Sequence, residues 1–386
     1  MSGPRPGNQI QLLHSGGEYF PALLAAIAGA REEILLETYI FKPDAVGREV
    51  AAALSAAVLR GVRVRLIVDG FGGRDFVQEL MDDLAADGVE VMIFRRELKP
   101  LLARRYRLRR LHRKLAVVDA RIAFVGGINI IDDFEPVGPR HPRFDFAVRI
   151  EGPVVTDVHR AMARLWRLVL WASLKRRFVP LRWALPEGVR SGSMRARLVL
   201  RDNLRHRRDI EEAYLDAIEH AQTRILLANA YFFPGRVFRQ ALMAAAGRGV
   251  QVTLLLQGRV EYWLLHHACR ALYPPLLTAG VRIVEYRKSF LHAKVAVVDT
   301  GWATVGSSNI DPFSLLLARE ANVVILDETF ATGLAAALQA ACTDGGVEVS
   351  LADWQRQRWW HRATAWLAYG ILRLLLGVAG YASRLK

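Results

Sequence analysis

Residues 112–119 read HRKLAVVD and residues 292–299 read HAKVAVVD, so His-x-Lys-x-x-x-x-Asp stands twice in one chain, as His112, Lys114, Asp119 and as His292, Lys294, Asp299. Each copy is followed at the same distance by Gly-x-x-Asn, ending at Asn129 and Asn309. The chain holds ten His and only seven Lys, its other basic residues being Arg. From such a composition one match to the three fixed positions is expected on the order of 0.01 times. LAVVD and VAVVD are ordinary strand interiors, which accounts for the valines but not for the His and Lys. In a chain that otherwise chooses Arg, two lysines two residues after a His imply that a compact point charge is needed there. Two imidazoles and two ammonium groups brought together suit cleavage of a phosphodiester through a covalent phosphohistidine.

Working outward, the flanking sequence is also built twice. ILLETYIF at 34–41 matches ILLANAYF at 225–232, RGVRVRLIVDG at 60–70 matches RGVQVTLLLQG at 248–258, and GVEVMIF at 88–94 matches GVRIVEY at 280–286. The offsets are 191, 188 and 192 residues and then 180 at the motif, so about a dozen extra residues precede His112. Strands alternating with helices imply crossover units and a mostly parallel sheet. The expected class is therefore α/β in two similar halves, 1–190 and 191–345, followed by a tail, 346–386.

Strand parity sorts the motif residues. Positions i and i+2 share a face, so His112 and Lys114 point together, as do His292 and Lys294. Asp119 and Asp299 have the opposite parity; they stay in the candidate catalytic set as motif members, with holding the following turn as the alternative. Gly126, Gly127 and Gly306 open turns where backbone can approach a ligand. Asn129 and Asn309 offer amide donors to a phosphate oxygen and Ser307 a hydroxyl. Glu37 is a charge inside an apolar strand, read against Asn229 in the other half, and is either a site residue or a buried ion pair. No cluster has metal-ligand spacing, the two Lys supply positive charge, and neither metal nor cofactor is expected.

The two motifs, their trailing Gly-x-x-Asn and the duplicated halves resemble the phospholipase D superfamily, and LETYIFKPDAVG with RGVRVRLIVDGFG resembles its bacterial cardiolipin synthases. The resemblance spans roughly residues 10–330. It implies two pseudo-symmetric α/β/α halves with one shared active site at their interface. It further implies His112 as nucleophile, His292 as acid and base, and Lys114 and Lys294 on the phosphate oxygens. Acidic residues about thirty positions after each motif His are implied as orienters, here Asp145 and Glu320. The activity implied is transfer of a phosphatidyl group to phosphatidylglycerol. A phospholipase D hydrolase or a nuclease of the same superfamily is the alternative.

Composition bears on the partner. A net charge of +15 predicts attraction to nucleic acid or to an anionic membrane. Residues 95–111 carry most of the inserted charge, with leucines and Tyr106 interleaved, as an interfacial segment would. In the tail, Trp354, Trp359 and Trp360 precede a 20-residue apolar run, 363–382, with Arg373 near its middle. An interfacial helix is expected first, a spanning anchor second because the central Arg is costly, and packing as a core helix third. These features favour phospholipid over nucleic acid and place the chain at the cytoplasmic face of a cell membrane. Cys269 and Cys342 are too few for a disulfide framework, and the start lacks the apolar run of a signal peptide.

Overall fold

The structure is a computed structural model that describes residues 3–95, 109–134, 141–173, 189–202, 205–356 and 359–378. The basic insertion therefore lies almost wholly outside the described residues. In chain order, the first half runs β1 (Arg5–His14), α1 (Ser15–Gly29), β2 (Glu33–Thr38), α2 (Ala45–Leu59), β3 (Arg63–Asp69), α3 (Arg74–Glu79), α4 (Met81–Ala86) and β4 (Glu90–Phe94). It continues with β5 (Lys114–Val118), β6 (Ile122–Gly126), β7 (Phe146–Glu151) and α5 (Pro153–Ala172). The second half repeats this plan with β8 (Met194–Arg201), α6 (Asp209–His220), β9 (Arg224–Asn229), α7 (Arg236–Gly247), β10 (Gln251–Gln257), α8 (Trp263–Arg270) and α9 (Tyr273–Thr278). Then come β11 (Arg282–Tyr286), β12 (Lys294–Val298), β13 (Trp302–Gly306), α10 (Pro312–Leu316), β14 (Glu320–Leu326) and α11 (Glu328–Gly345). The chain closes with β15 (Gly346–Val349), α12 (Leu351–Arg356) and α13 (Trp359–Val378).

The fifteen strands among the described residues are connected in the order β15-β11-β10-β9-β12-β13-β14-β8-β1-β7-β6-β5-β2-β3-β4, symmetric about the β8–β1 pair except for β15, which has no counterpart beyond β4. The expected mostly parallel sheet is corrected. Only β2-β3-β4 and β9-β10-β11 run parallel, and every other pairing is antiparallel. The reason is loop length: β5 reaches β6 through Asp119, Ala120 and Arg121 alone, too short for a crossover. Asp119 and Ala120 both have φ of 51°, the left-handed geometry that two-residue hairpin turns use. Register also corrects the partner of Glu37. Ile34 pairs with Val118 as Ile225 pairs with Val298, which sets Glu37 against Ala228 and Thr38 against Asn229.

Every residue of β5 and β12 is buried, because helices lie on both faces, with α5 over β5 and α11 over β12 on the inner side. Ala116 and Val118 join Ile34 and Leu36 under α1 and α2, while Leu115 and Val117 turn inward. That inner cluster joins both halves: Leu35, Leu115 and Val148 share it with Leu226, Val295 and Val323, and α5 and α11 close it. The segment expected to open the tail instead begins with β15, which pairs antiparallel with β11 and extends the second half's sheet.

Candidate active site

The two motif histidines sit where each half reaches across to the other. Leu111 bridges Arg319 and Leu291 bridges Phe144. The His112 N–H donates to the Arg319 carbonyl at 3.0 Å, and the His292 N–H to the Phe144 carbonyl at 2.9 Å. The residue after each acceptor is acidic, so these backbone bonds align each imidazole with the other half's carboxylate. His112 Nδ1 lies 3.0 Å from Glu320 Oε1 and 3.2 Å from its Oε2; His292 Nδ1 lies 2.6 Å from Asp145 Oδ2. A neutral imidazole donating from Nδ1 keeps its lone pair on Nε2, the tautomer a nucleophile or base requires. The orienters are thus crossed between halves, a relation that residue spacing does not contain.

Lys114 Nζ donates to the His112 carbonyl at 2.6 Å, and Lys294 Nζ to that of His292 while standing 3.8 Å from Asp145. Burial lowers the pKa of both lysines, to about 7 for Lys114 and about 8 for Lys294, and Lys294 lowers Lys114 further. Burial likewise lowers His112 and takes His292 to about 3, against the pull of their carboxylates. Lys294 acts on His112 and Lys114 on His292, so the four groups share one field. At neutral pH both imidazoles are neutral, Lys114 is near the midpoint of its titration and Lys294 is mostly charged. A phosphodiester anion is the counter-charge that would fully protonate the two lysines.

Asp119 and Asp299 do not belong with the catalytic set, and the structure corrects that expectation. They lie at the far end of β5 and β12, where Asp119 accepts the N–H groups of Arg31, Glu32 and Glu33 at 2.8, 2.8 and 2.9 Å. Asp299 accepts those of Gln222, Thr223 and Arg224. Each ties its hairpin to the start of the neighbouring strand. Glu37 is also not a site residue. It turns inward with Leu35 and takes a bidentate bond from Arg113, Nε at 2.5 Å and Nη2 at 3.0 Å, which resolves it as the buried ion pair. Ser307 is corrected too: its buried hydroxyl donates to Glu320 Oε2 at 2.6 Å, positioning the orienter. At the matching position Gly127 leaves no room for a side chain, since a Cβ there would meet Asp145 Oδ1 at 2.3 Å. Asn129 Oδ1 accepts the Ile40 N–H at 3.1 Å, which leaves its NH2 as the group it can offer. Asn309 is buried, with an Oδ1 that has no partner among the described residues.

Several neighbours escaped the sequence reading. The Tyr39 ring packs 4.8 Å from the His112 ring, with Lys114 Nζ 5.4 Å from its centroid. Asp69, fully buried and raised to about 6 by that burial, accepts the Leu111 N–H at 2.9 Å beside His112. On the other half, Tyr231 bonds Glu261, whose charge reaches Lys294, and Tyr231, Glu261, Tyr262 and His266 line a cleft. Asp69 closing an apolar strand before Gly70 was the available signal; Tyr39 and Glu261 carry none beyond their residue type.

The cardiolipin synthase, PLD-like domain family matches this chain over residues 23–166 and again over 214–341. Cardiolipin synthase B of Escherichia coli strain K12 is 40% identical over 378 residues, covering 98% of this chain and 91% of that protein. Cardiolipin synthase of Geobacillus kaustophilus is 32% identical over 82% of this chain and 63% of its own length. Among solved structures, phosphatidylserine synthase of Haemophilus influenzae superposes with a TM-score of 0.65 over 90% of both chains, at 13% identity. That last likeness is one of fold.

Proposed function

Since the chain belongs to the cardiolipin synthase, PLD-like family, we propose that it transfers a phosphatidyl group from one phospholipid to the headgroup hydroxyl of phosphatidylglycerol, through a phosphohistidine. The observation that carries the mechanism is the crossed pair of imidazoles, each held through Nδ1 by the other half's carboxylate. Binding of the phosphodiester anion brings a solvent proton onto His292 Nε2, making it the imidazolium; His112 Nε2 then attacks phosphorus while His292 Nε2–H gives that proton to the departing alcohol oxygen. His292, now neutral, takes the proton of the incoming hydroxyl, whose oxygen attacks phosphorus and releases His112. Glu320 and Asp145 stabilise the imidazolium charge that forms in turn, and Lys114, Lys294 and the Asn129 amide face the phosphate oxygens. Water is the competing acceptor, so its exclusion separates transfer from hydrolysis.

The membrane supplies both substrates, and the exposed apolar side chains of α13 support peripheral attachment to it, for which we propose the cytoplasmic face. Among the described residues no helix is long and apolar enough to cross a membrane. α13 buries Ala365, Ala368 and Leu372 against α8 and leaves Trp359, Trp366, Leu367, Leu374 and Leu375 exposed. Tyr262 and Trp263, exposed at the start of α8, continue that apolar face to the rim of the cleft. The test incubates the purified chain with phosphatidylglycerol vesicles and separates the lipids. Cardiolipin with glycerol is expected; phosphatidic acid alone would mean a hydrolase, and cleavage of DNA with no lipid product a nuclease.

A further inference from the structure

Under α5, at the seam of the two halves, a cavity of about 580 Å³ is lined by Arg113, Arg160, Arg164, Arg167, Arg201 and Arg319. Its acids are Asp157 and Asp202, and Leu165, Leu168 and Leu200 form an apolar wall. The charges do not balance within it. Among the described residues, six arginines face two acids: Asp157 is engaged by Arg5 at 3.0 Å, Arg113 is paired with the buried Glu37, and Arg201 donates to the Leu315 and Ala318 carbonyls. Arg160, Arg164 and Arg167 follow one another along the exposed face of α5, at the helical spacing that keeps them together. Arg319 is pressed hard enough by burial, and by Arg113 beside it, that its pKa falls to about 10.

The duplication supplies an internal comparison. The Leu111–Arg319 bridge corresponds to Leu291–Phe144, so Phe144 occupies the position of Arg319 and Ala293 that of Arg113. There the space is filled by core, with Phe144, Ala293 and Tyr286 in one cluster. Both halves seat their histidine through the same backbone bond to that position. Neither the fold nor the orientation of the imidazole therefore demands arginine. The arginine-lined half keeps an open cavity where its twin is closed.

We propose that this cavity is a second anion site, separate from the one that performs the transfer, and that it takes the phosphate ester group of an amphiphilic ligand. Guanidinium forks match phosphate oxygens, and the leucine wall accepts the carbon skeleton attached to them. Occupancy bears on turnover, because the Arg319 carbonyl accepts the His112 N–H while its own N–H donates to Arg110. A ligand that draws Arg319 toward the cavity moves the backbone that holds His112 against Glu320. The binding step does not depend on which acceptor the active site uses.

The test labels arginines of the full-length chain with phenylglyoxal and maps them by mass spectrometry. The probes are inorganic phosphate, micelles carrying phosphatidic acid, and neutral phosphatidylcholine micelles. Arg164 and Arg167 are expected to label at least about threefold more slowly with phosphate or phosphatidic acid, while exposed Arg63 on β3 is unaffected. Protection by micellar phosphatidic acid at far lower concentration than by phosphate identifies a lipid headgroup; protection by phosphate alone identifies a small soluble phosphate. No protection by either, or equal protection by neutral micelles, overturns the proposal. A second chain carrying R160Q, R164Q and R167Q should bind the protecting anion at least about tenfold more weakly by calorimetry, and undiminished binding also overturns it.

Discussion

At the residue scale, the site is built from two unlike solutions to one problem, holding an imidazole through its far nitrogen. The first solution is a short Asp145 set against a glycine, the second a longer Glu320 set against a serine hydroxyl. Gly127→Ala would place its Cβ 2.3 Å from Asp145 Oδ1 and displace the carboxylate from His292. We expect kcat to fall on the order of 10- to 100-fold, as for other losses of an orienting contact. The melting temperature should move far less; a large loss of stability with normal kcat would refute this reading of Gly127. The lysines set the pH profile. Charged lysine is present below its pKa, so with values of about 7 and about 8 the ability to bind a phosphodiester is lost as pH rises through that interval. His112 must be neutral before attack, and burial lowers its pKa, so the acid limb lies below the usual histidine range, while His292 takes up its proton only with the bound anion. kcat/KM, which reports the free enzyme, should therefore fall on the basic side, and Lys114→Arg, at the lysine that loses its proton first, should slow the reaction but move that limb upward, since Arg keeps its proton. A basic limb indifferent to the substitution would exclude the lysine as its source.

At the scale of the element, HRKLAVVD was legible as strand because alternate residues face two different buried layers. The direction of its neighbours was not, because parallel pairing was inferred from helices that connect only the first four of the seven strands in each half, three of which lie side by side. The aspartates show the same limit. Parity separated them from the histidines, but only the hairpin shows them gathering the backbone N–H groups of the preceding helix–strand junction. Asp119→Ala strips three donors of a charged acceptor and should cost about 2–3 kcal/mol. Denaturant unfolding should report that loss while kcat on a short-chain soluble lipid stays within about threefold of wild type; a collapse of kcat at full stability would return Asp119 to the catalytic set. The tail divides likewise. Its aromatic and basic make-up was readable, yet one face packs on α8 and covers Cys269, so it is neither a free anchor nor a plain core helix. Replacing Leu367, Leu374 and Leu375 by Ser should weaken sedimentation with anionic vesicles and leave the melting temperature near wild type, because these side chains touch solvent rather than α8. Undiminished vesicle binding would move the contact to another surface.

For the whole molecule, the duplication was visible in the offsets between copies, whereas the crossing of the orienters was not. Asp145 follows His112 by 33 residues and Glu320 follows His292 by 28, numbers that suggest each acid serves its own half. The bridges at Leu111–Arg319 and Leu291–Phe144 reverse that assignment. Crossing has an energetic counterpart, because one apolar cluster runs through both halves, where β6 and β7 meet β13 and β14. Leu115, Val117 and Val148 on one side, and Val295, Val305 and Val323 on the other, are each at most 1% exposed within that cluster. Separating the halves would expose the part of it that α5 and α11 do not cover, at a cost of roughly 1.5–3 kcal/mol for each large apolar side chain. The halves should therefore unfold together despite their repeated plan. Scanning calorimetry should give one transition whose calorimetric and van't Hoff enthalpies agree. His112→Ala and Glu320→Gln, placed in different halves, should give kcat values that differ far less than their product predicts, because they disable one pair. Two resolved transitions, or fully multiplicative losses in the double variant, would mean that the halves are independent domains.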